Sequence, residues 1–334
     1  MSAAETQKKI AVVFTGGTIT MLPRQGAAGV VPDDEAHRLL EALTPLHHEI
    51  GIQSVPWGNR PSPHMDHELM FRLAGDLDDL LTDPALIGAV VLHGTDLLVE
   101  SAFLADLCLK TRKPVVFTGS MRFYSELGYD GIRNLLGGIK ACLLPIPEEM
   151  GVVLLMTDRL FAAREVVKVN SLNIDAFEAP GSGPVGYVAG ESLMLTRHPQ
   201  KRLRPFRAQA LDIRVPMVSC FPGIKPGVIN ALSATSPAGL VVEGFGAGNV
   251  PPGLVEPLLR LINTQIPVVL TTRCIDGGVW PLYGYPGGGA DLEARGIISG
   301  GRLTAHKAQI QLMACLGSNM DLAAIRRVFQ TACH

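Results

Sequence analysis

Residues 89–120 read AVVLHGTDLLVESAFLADLCLKTRKPVVFTGS, and this stretch decides the fold. Ala89 to Leu92 is a short apolar run of strand length, half of it β-branched, Leu98 to Thr111 is an apolar segment of helix length, and Pro114 to Thr118 is strand-like again. Strand, helix and strand in about thirty residues make a βαβ unit, whose two strands run parallel with the helix covering one face.

The same alternation extends outward on both sides. Upstream lie strand Ile10 to Thr15, helix Asp33 to Leu43, strand Gly51 to Val55 and helix Asp66 to Leu81; downstream lie helix Gly131 to Leu143 and strand Val152 to Met156. Repeated βαβ units predict a mainly parallel sheet covered on both faces. Val166 to Tyr187, punctuated by proline and glycine, reads instead as short strands and turns in a hairpin against that sheet. The run TRHPQKRLRPFRAQ, residues 196–209, is basic and lacks apolar periodicity, which marks a linker. The division expected is therefore an N-terminal domain over residues 1–195, a linker over 196–212 and a C-terminal α/β domain over 213–334. In the second domain the expected elements are strand Ile213 to Ser219, helix Pro226 to Ser233, strand Gly239 to Glu243, helix Pro252 to Asn263, strand Pro267 to Thr272 and helices Ala305 to Leu316 and Asp321 to Thr331.

Bulk properties agree with this reading and exclude several function classes. At 334 residues the chain exceeds the size at which one core stops growing, and 47% hydrophobic residues with only 5% aromatics suit aliphatic packing between helices and sheets. With 29 Lys and Arg against 31 Asp and Glu, the net charge of -2 offers no field for nucleic acid or an anionic membrane. Met1 to Lys9 has no apolar core of a signal peptide, and no apolar run reaches the roughly 18 residues of a membrane helix, so a cytoplasmic protein is expected. The cysteines, at 108, 142, 220, 274, 315 and 333, include no C-x-x-C pair and sit mostly in apolar segments, as buried thiols do. His47, His48, His64 and His67 have no carboxylates at ligand spacing, so no metal is expected. Neither G-x-G-x-x-G nor G-x-x-x-x-G-K follows the first strand, so no nucleotide cofactor is expected.

Ligands of open α/β sheets sit beyond the carboxyl ends of the strands, and three of these ends are small and polar. They are Thr15-Gly16-Gly17-Thr18, His93-Gly94-Thr95-Asp96 and Thr118-Gly119-Ser120-Met121-Arg122, the last followed by Asp130-Gly131. Taken alone, Thr95 or Asp96 could simply cap the next helix. Together the crests suit carboxamide hydrolysis, which needs a nucleophile, a base to take its proton and donors for the oxyanion. A threonine hydroxyl is a weak acid and needs a neighbouring base, and a lysine desolvated in a pocket can serve. Lys168, in Glu165-Val166-Val167-Lys168-Val169-Asn170, is the candidate; a lysine facing solvent is the simpler reading of the same run.

The ordered set TGGTI, HGTD, TGSMR and DGIRNL, with Arg164 to Asn170 and the turn Gly246-Ala247-Gly248-Asn249, resembles the asparaginase/glutaminase family over nearly the whole chain. The resemblance implies a larger N-terminal Rossmann-like domain, a smaller C-terminal α/β domain and assembly as a homo-oligomer, a dimer or tetramer. It implies Thr18 as nucleophile, with Thr95, Asp96 and Lys168 as the proton shuttle. Ser62 would hold the α-carboxylate of the substrate, Asp96 its ammonium, and Asn249 would reach a neighbouring subunit's site. Gly17, Gly94, Thr95 and Ser120, on the same crests, complete the expected substrate contacts.

The chain also departs from the family pattern. Thr20 and Leu97 replace a small residue and a second threonine, and Met21 to Pro32 contains no tyrosine, leaving Val30 where the family's loop tyrosine would stand. Tyr124 is a candidate to supply that phenol. Trp280 to Glu293 offers Tyr283 and Tyr285 in place of a glutamate found in one branch, and with Cys274 it looks closer to the intracellular branch. The expected function is hydrolysis of L-asparagine, or of glutamine or a related amide, through a threonyl ester and without cofactor. The alternatives are an amidase for a different amide and a catalytically silent amino-acid sensor.

Overall fold

Short apolar strands and amphipathic helices alternate as the patterning demands in a computed structural model, which describes residues 7–23, 30–32, 36–41, 50–144, 150–198 and 210–331. The chain divides into two units, residues 1–202 and 203–334. Of the expected linker, residues 199–209 lie outside the described residues, as do His47, His48 and Cys333.

The first unit contains β1 (Lys9–Phe14), β2 (Met21–Pro23), β3 (Val30–Pro32), α1 (Ala36–Glu41), β4 (Gly51–Pro56), α2 (His67–Leu80), β5 (Leu86–Leu92), α3 (Leu98–Cys108), β6 (Val115–Thr118) and α4 (Gly131–Leu143). These are followed by β7 (Val153–Met156), β8 (Arg159–Ala162), β9 (Val167–Lys168), β10 (Phe177–Glu178), β11 (Gly186–Ala189) and β12 (Ser192–Leu195). Its main sheet has the order β12-β11-β8-β7-β6-β5-β1-β4. The five strands from β4 to β7 are parallel, and β8, β11 and β12 extend the sheet antiparallel. The chain runs from β1 out to β4, then returns on the other side of β1 to form β5. That reversal opens a crevice beyond the carboxyl ends of β1 and β5, where open α/β sheets place ligands.

Burial explains why these strands are central. Ile10, Val12 and Phe14 of β1, Val90 and Leu92 of β5 and Val116 of β6 share one core with Leu135 and Ile139 of α4. Asp66 caps α2 by accepting from Leu69 N at 2.8 Å. Helix α3 stops at Cys108 rather than Thr111, because the Asp78 carboxylate accepts from the backbone N–H groups of Lys110 and Thr111 at 2.9 and 3.0 Å, after Leu109 turns extended. The expected hairpin is β9 with β10, a separate two-stranded ribbon in which Lys168 faces Phe177.

The second unit is a four-stranded parallel sheet, β13 (Met217–Ser219), β14 (Leu240–Gly244), β15 (Val268–Thr272) and β16 (Ile298–Ser299), in that order. Its helices are α5 (Pro226–Ser233), α6 (Val255–Asn263), α7 (Gly289–Ala294), α8 (Ala305–Gly317) and α9 (Leu322–Thr331). The strand expected from Ile213 begins only at Met217, where pairing with Val241 starts, and Pro252–Leu254 is a 3-10 turn ahead of α6. Cys142, Cys220 and Cys315 are buried and Cys108 partly so, whereas Cys274 is exposed against expectation, in the turn after β15.

Candidate active site

The end of β1 is locked to β5: the Thr15 amide and hydroxyl both donate to Leu92 O, at 3.0 and 2.9 Å. Gly16 and Gly17 follow with φ of 106° and 92°, a region side chains avoid, and swing the chain into the single 3-10 turn Thr18–Thr20. A Cβ on Gly17 would lie 2.2 Å from Gly94 Cα. The two glycines therefore let the turn after β1 touch the turn after β5, leaving Thr18 and Thr95 each one residue from the contact.

Beyond β5 the side chains divide between building the turn and lining it. His93 is fully buried. Its Nδ1 lies 2.8 Å from Gly94 O, an acceptor only, so Nδ1 carries the proton and Nε2 accepts from Ser101 Oγ of α3 at 3.0 Å. Burial pulls its pKa down to about 4, the bond to Gly94 opposing, and the ring is a neutral brace for the turn. Helix α3 has Leu97 as N-cap with no side-chain cap bond, so neither Thr95 nor Asp96 serves as the cap. Instead Lys168 Nζ donates to Thr95 Oγ1 at 2.9 Å and to Asp96 Oδ1 at 2.7 Å. The Lys168 side chain is only 17% exposed while that of Asp96 is 61% exposed, so the solvent-facing reading of Lys168 gives way to an ammonium tucked behind a carboxylate that faces outward.

Ser62 comes from the loop between β4 and α2, and its Oγ accepts from Asp96 N at 3.2 Å. Serving there as acceptor, the hydroxyl has no acceptor for its own proton among the described residues. A Cβ on Gly94 would meet Ser62 Oγ at 2.7 Å, so this loop joins the same contact. Ser120 is fully buried and donates to Arg122 O at 2.7 Å, which leaves its backbone, not its hydroxyl, for any substrate contact.

Residues that the motifs marked only as neighbours hold these crests in place. The Asp130 carboxylate accepts from Met121 N, Arg122 N and Asn134 Nδ2, all at 3.0 Å. The same Asn134 amide donates to Gly119 O at 3.0 Å, and its oxygen accepts from Thr157 N at 3.0 Å. The sequence places Asp130 only as the residue ahead of the helix from Gly131, and nothing in that local pattern reports this network. The Tyr124 phenol is not among the groups bonded to the nucleophile turn in the described residues. It packs edge-on against Tyr129, with ring centroids 5.2 Å apart, and it is Tyr129 whose hydroxyl donates to Ile19 O at 2.8 Å.

Asn249 belongs to the second unit, where it closes a glycine-rich turn: its Nδ2 donates to Phe245 O at 3.4 Å and its Oδ1 accepts from Gly289 N at 3.3 Å. A cavity of about 690 Å³ in the same unit, lined by Trp280, Glu293, Arg302 and Arg326 among others, includes none of the candidate residues. Among the described residues no group of three or more His, Cys, Asp or Glu is arranged to hold a metal, and no helix is long and apolar enough to cross a membrane.

An α/β sheet with hydroxyls, a lysine and a carboxylate gathered at its switch point defines a class of amide-cleaving folds, and comparison with known proteins places the chain within it. The model of the asparaginase N-terminal domain matches residues 9–201, that of the glutaminase/asparaginase C-terminal domain matches residues 214–329, and the chain belongs to the asparaginase family. It is 37% identical over 327 residues to a probable L-asparaginase of Deinococcus radiodurans, covering 96% of this chain and 97% of that one. It is 30% identical over 319 residues to an L-asparaginase of Bacillus licheniformis, covering 93% and 96% respectively. Among solved structures, a probable cytoplasmic L-asparaginase from Campylobacter jejuni superposes with a TM-score of 0.84 at 27% identity, covering 97% of this chain and 99% of that one.

Proposed function

We propose that the chain hydrolyses the side-chain amide of L-asparagine to aspartate and ammonia, with Thr18 as nucleophile. The observation that carries this reading is Lys168 Nζ bonded to both Thr95 Oγ1 and Asp96 Oδ1 on a turn whose Gly94 abuts Gly17. With Lys168 as the neutral amine, Thr18 Oγ attacks the amide carbon, its proton passes to Thr95 Oγ1 as Thr95 gives its own to the Nζ lone pair, and Lys168 becomes the ammonium. The proton returns to the leaving nitrogen as ammonia departs, giving a threonyl ester. Water, deprotonated by the same route, hydrolyses the ester and restores Thr18.

Selection for a small amino-acid amide comes from opposite charges on one carbon. The outward-facing Asp96 carboxylate suits the substrate's ammonium, and the free O–H of Ser62 suits its carboxylate. Gly17, Gly94 and Thr95 supply backbone close to the ligand, Ser120 contributes through its backbone, and Asn249 acts from a neighbouring subunit of a cytoplasmic homo-oligomer. No cofactor takes part, and residues 1–195 and 213–334, joined by 196–212, serve as catalytic and supporting domains. Ammonia release from asparagine tests the reading: wild type is expected to turn over and Thr18→Ala to lose nearly all activity. Equal rates in the two end it.

A further inference from the structure

The 3-10 turn that carries Thr18 is held on its far side by a residue from another crest. Thr20 N donates to Gly17 O at 3.1 Å within the turn, and the Ile19 side chain is fully buried beneath it. The Thr20 hydroxyl also donates to Gly17 O, at 3.3 Å, and from outside the turn the Tyr129 hydroxyl donates to Ile19 O at 2.8 Å across 110 residues of sequence. Room for it is built in: a Cβ on Gly131, the first residue of α4, would lie 2.1 Å from Tyr129 Oη. The neighbouring Tyr124 ring packs against the edge of Tyr129 and limits its swing.

We propose that Tyr129 is a positioning residue for the nucleophile, its hydroxyl fixing the Ile19 carbonyl and thereby the direction in which Thr18 Oγ points. This deepens the hydrolase reading and rests on it. Tyr129 is not a proton donor to the reaction, since its hydrogen goes to a backbone carbonyl one residue beyond the nucleophile. Burial, chiefly, and the adjacent Asp130 carboxylate hold the phenol well above its ordinary pKa, so it remains a donor over the working pH range.

The test is Tyr129→Phe, which deletes one oxygen and keeps the ring, beside Tyr124→Phe as a packing control. A neutral hydrogen bond contributes roughly 0.5–1.5 kcal/mol, so kcat for asparagine is expected to fall about two- to ten-fold in Tyr129→Phe with KM within about two-fold, while Tyr124→Phe changes neither. Hydrogen exchange gives a readout independent of turnover: the Thr20 amide is expected to exchange faster by a similar factor in Tyr129→Phe alone. Unchanged exchange overturns the proposal whatever the activity. Faster exchange with unchanged kcat overturns the positioning claim, as does a loss seen in KM only or equally in both variants. A wild type that releases no ammonia removes the hydrolase reading and the catalytic half of this one, and exchange then still decides whether Tyr129 holds the turn.

Discussion

The turn after β5 is braced by a neutral histidine, and that makes stability depend on pH in a calculable way. His93 is fully buried with a pKa of about 4 against an ordinary value of 6.5, the cause being loss of solvent. In the unfolded chain it protonates as the pH falls below its ordinary value, while in the fold it stays neutral until near pH 4. The unfolded state therefore binds the extra proton, and stability falls as pH falls from 6.5 toward 4; above pH 6.5 the residue makes no pH-dependent contribution. The two pKa values give a loss of about 2 kcal/mol by pH 5 and about 3 kcal/mol by pH 4. Urea unfolding of wild type and His93→Gln at a series of pH values isolates this share from that of the carboxylates, which both proteins keep. Wild type is expected to lose about 2 kcal/mol more than the variant between pH 7.5 and pH 5. Parallel stability profiles for the two proteins would refute a buried, neutral His93.

Two further outcomes probe the crest directly. Lys168→Met removes the group bonded to Thr95 and Asp96, and kcat is expected to drop about 10²- to 10⁴-fold. The urea midpoint should move by less than about 1 kcal/mol in stability, because Asp96 is mostly exposed and the ion pair is screened; activity within tenfold of wild type would count against a relay role. Gly17→Ala places a methyl 2.2 Å from Gly94 Cα at a φ of 92°, and is expected to cost about 2–5 kcal/mol by thermal unfolding, whereas near-native stability would show that the two turns do not touch.

How much of this was legible in the sequence depends on how far apart the interacting residues lie. The parallel strands were readable because each βαβ unit declares itself within a few dozen residues, and α4 and α5 match their expected limits residue for residue. Strands β8 and β12 are absent from the sequence reading, and only the first two residues of β11 fall within the expected Val166 to Tyr187 stretch. The β7–β8 hairpin turns on Thr157 and Asp158 at φ of 49° and 62°, and Thr-Asp lacks the Asn-Gly or Asp-Gly signature of such turns. Helix α7 hid in the glycine-rich run before Ala290, and the early end of α3 depends on Asp78, some thirty residues upstream of the helix terminus. In the site, the motifs located the crests, but local patterning favoured a solvent-exposed Lys168. Its partners lie 73 and 72 residues away, a separation no periodicity reports. Tyr129 and Asn134 were invisible for the same reason.

The proposed function requires Thr18 to form a covalent ester with the amide substrate under control of the Lys168 cluster. Acid quenching of wild type during turnover of asparagine, followed by mass spectrometry of the peptide holding residues 9–23, measures this directly. An aspartyl adduct on Thr18 is expected in wild type, absent in Thr18→Ala and accumulating far more slowly in Lys168→Met. Steady ammonia release by Thr18→Ala, or an adduct that maps to another residue, would contradict it.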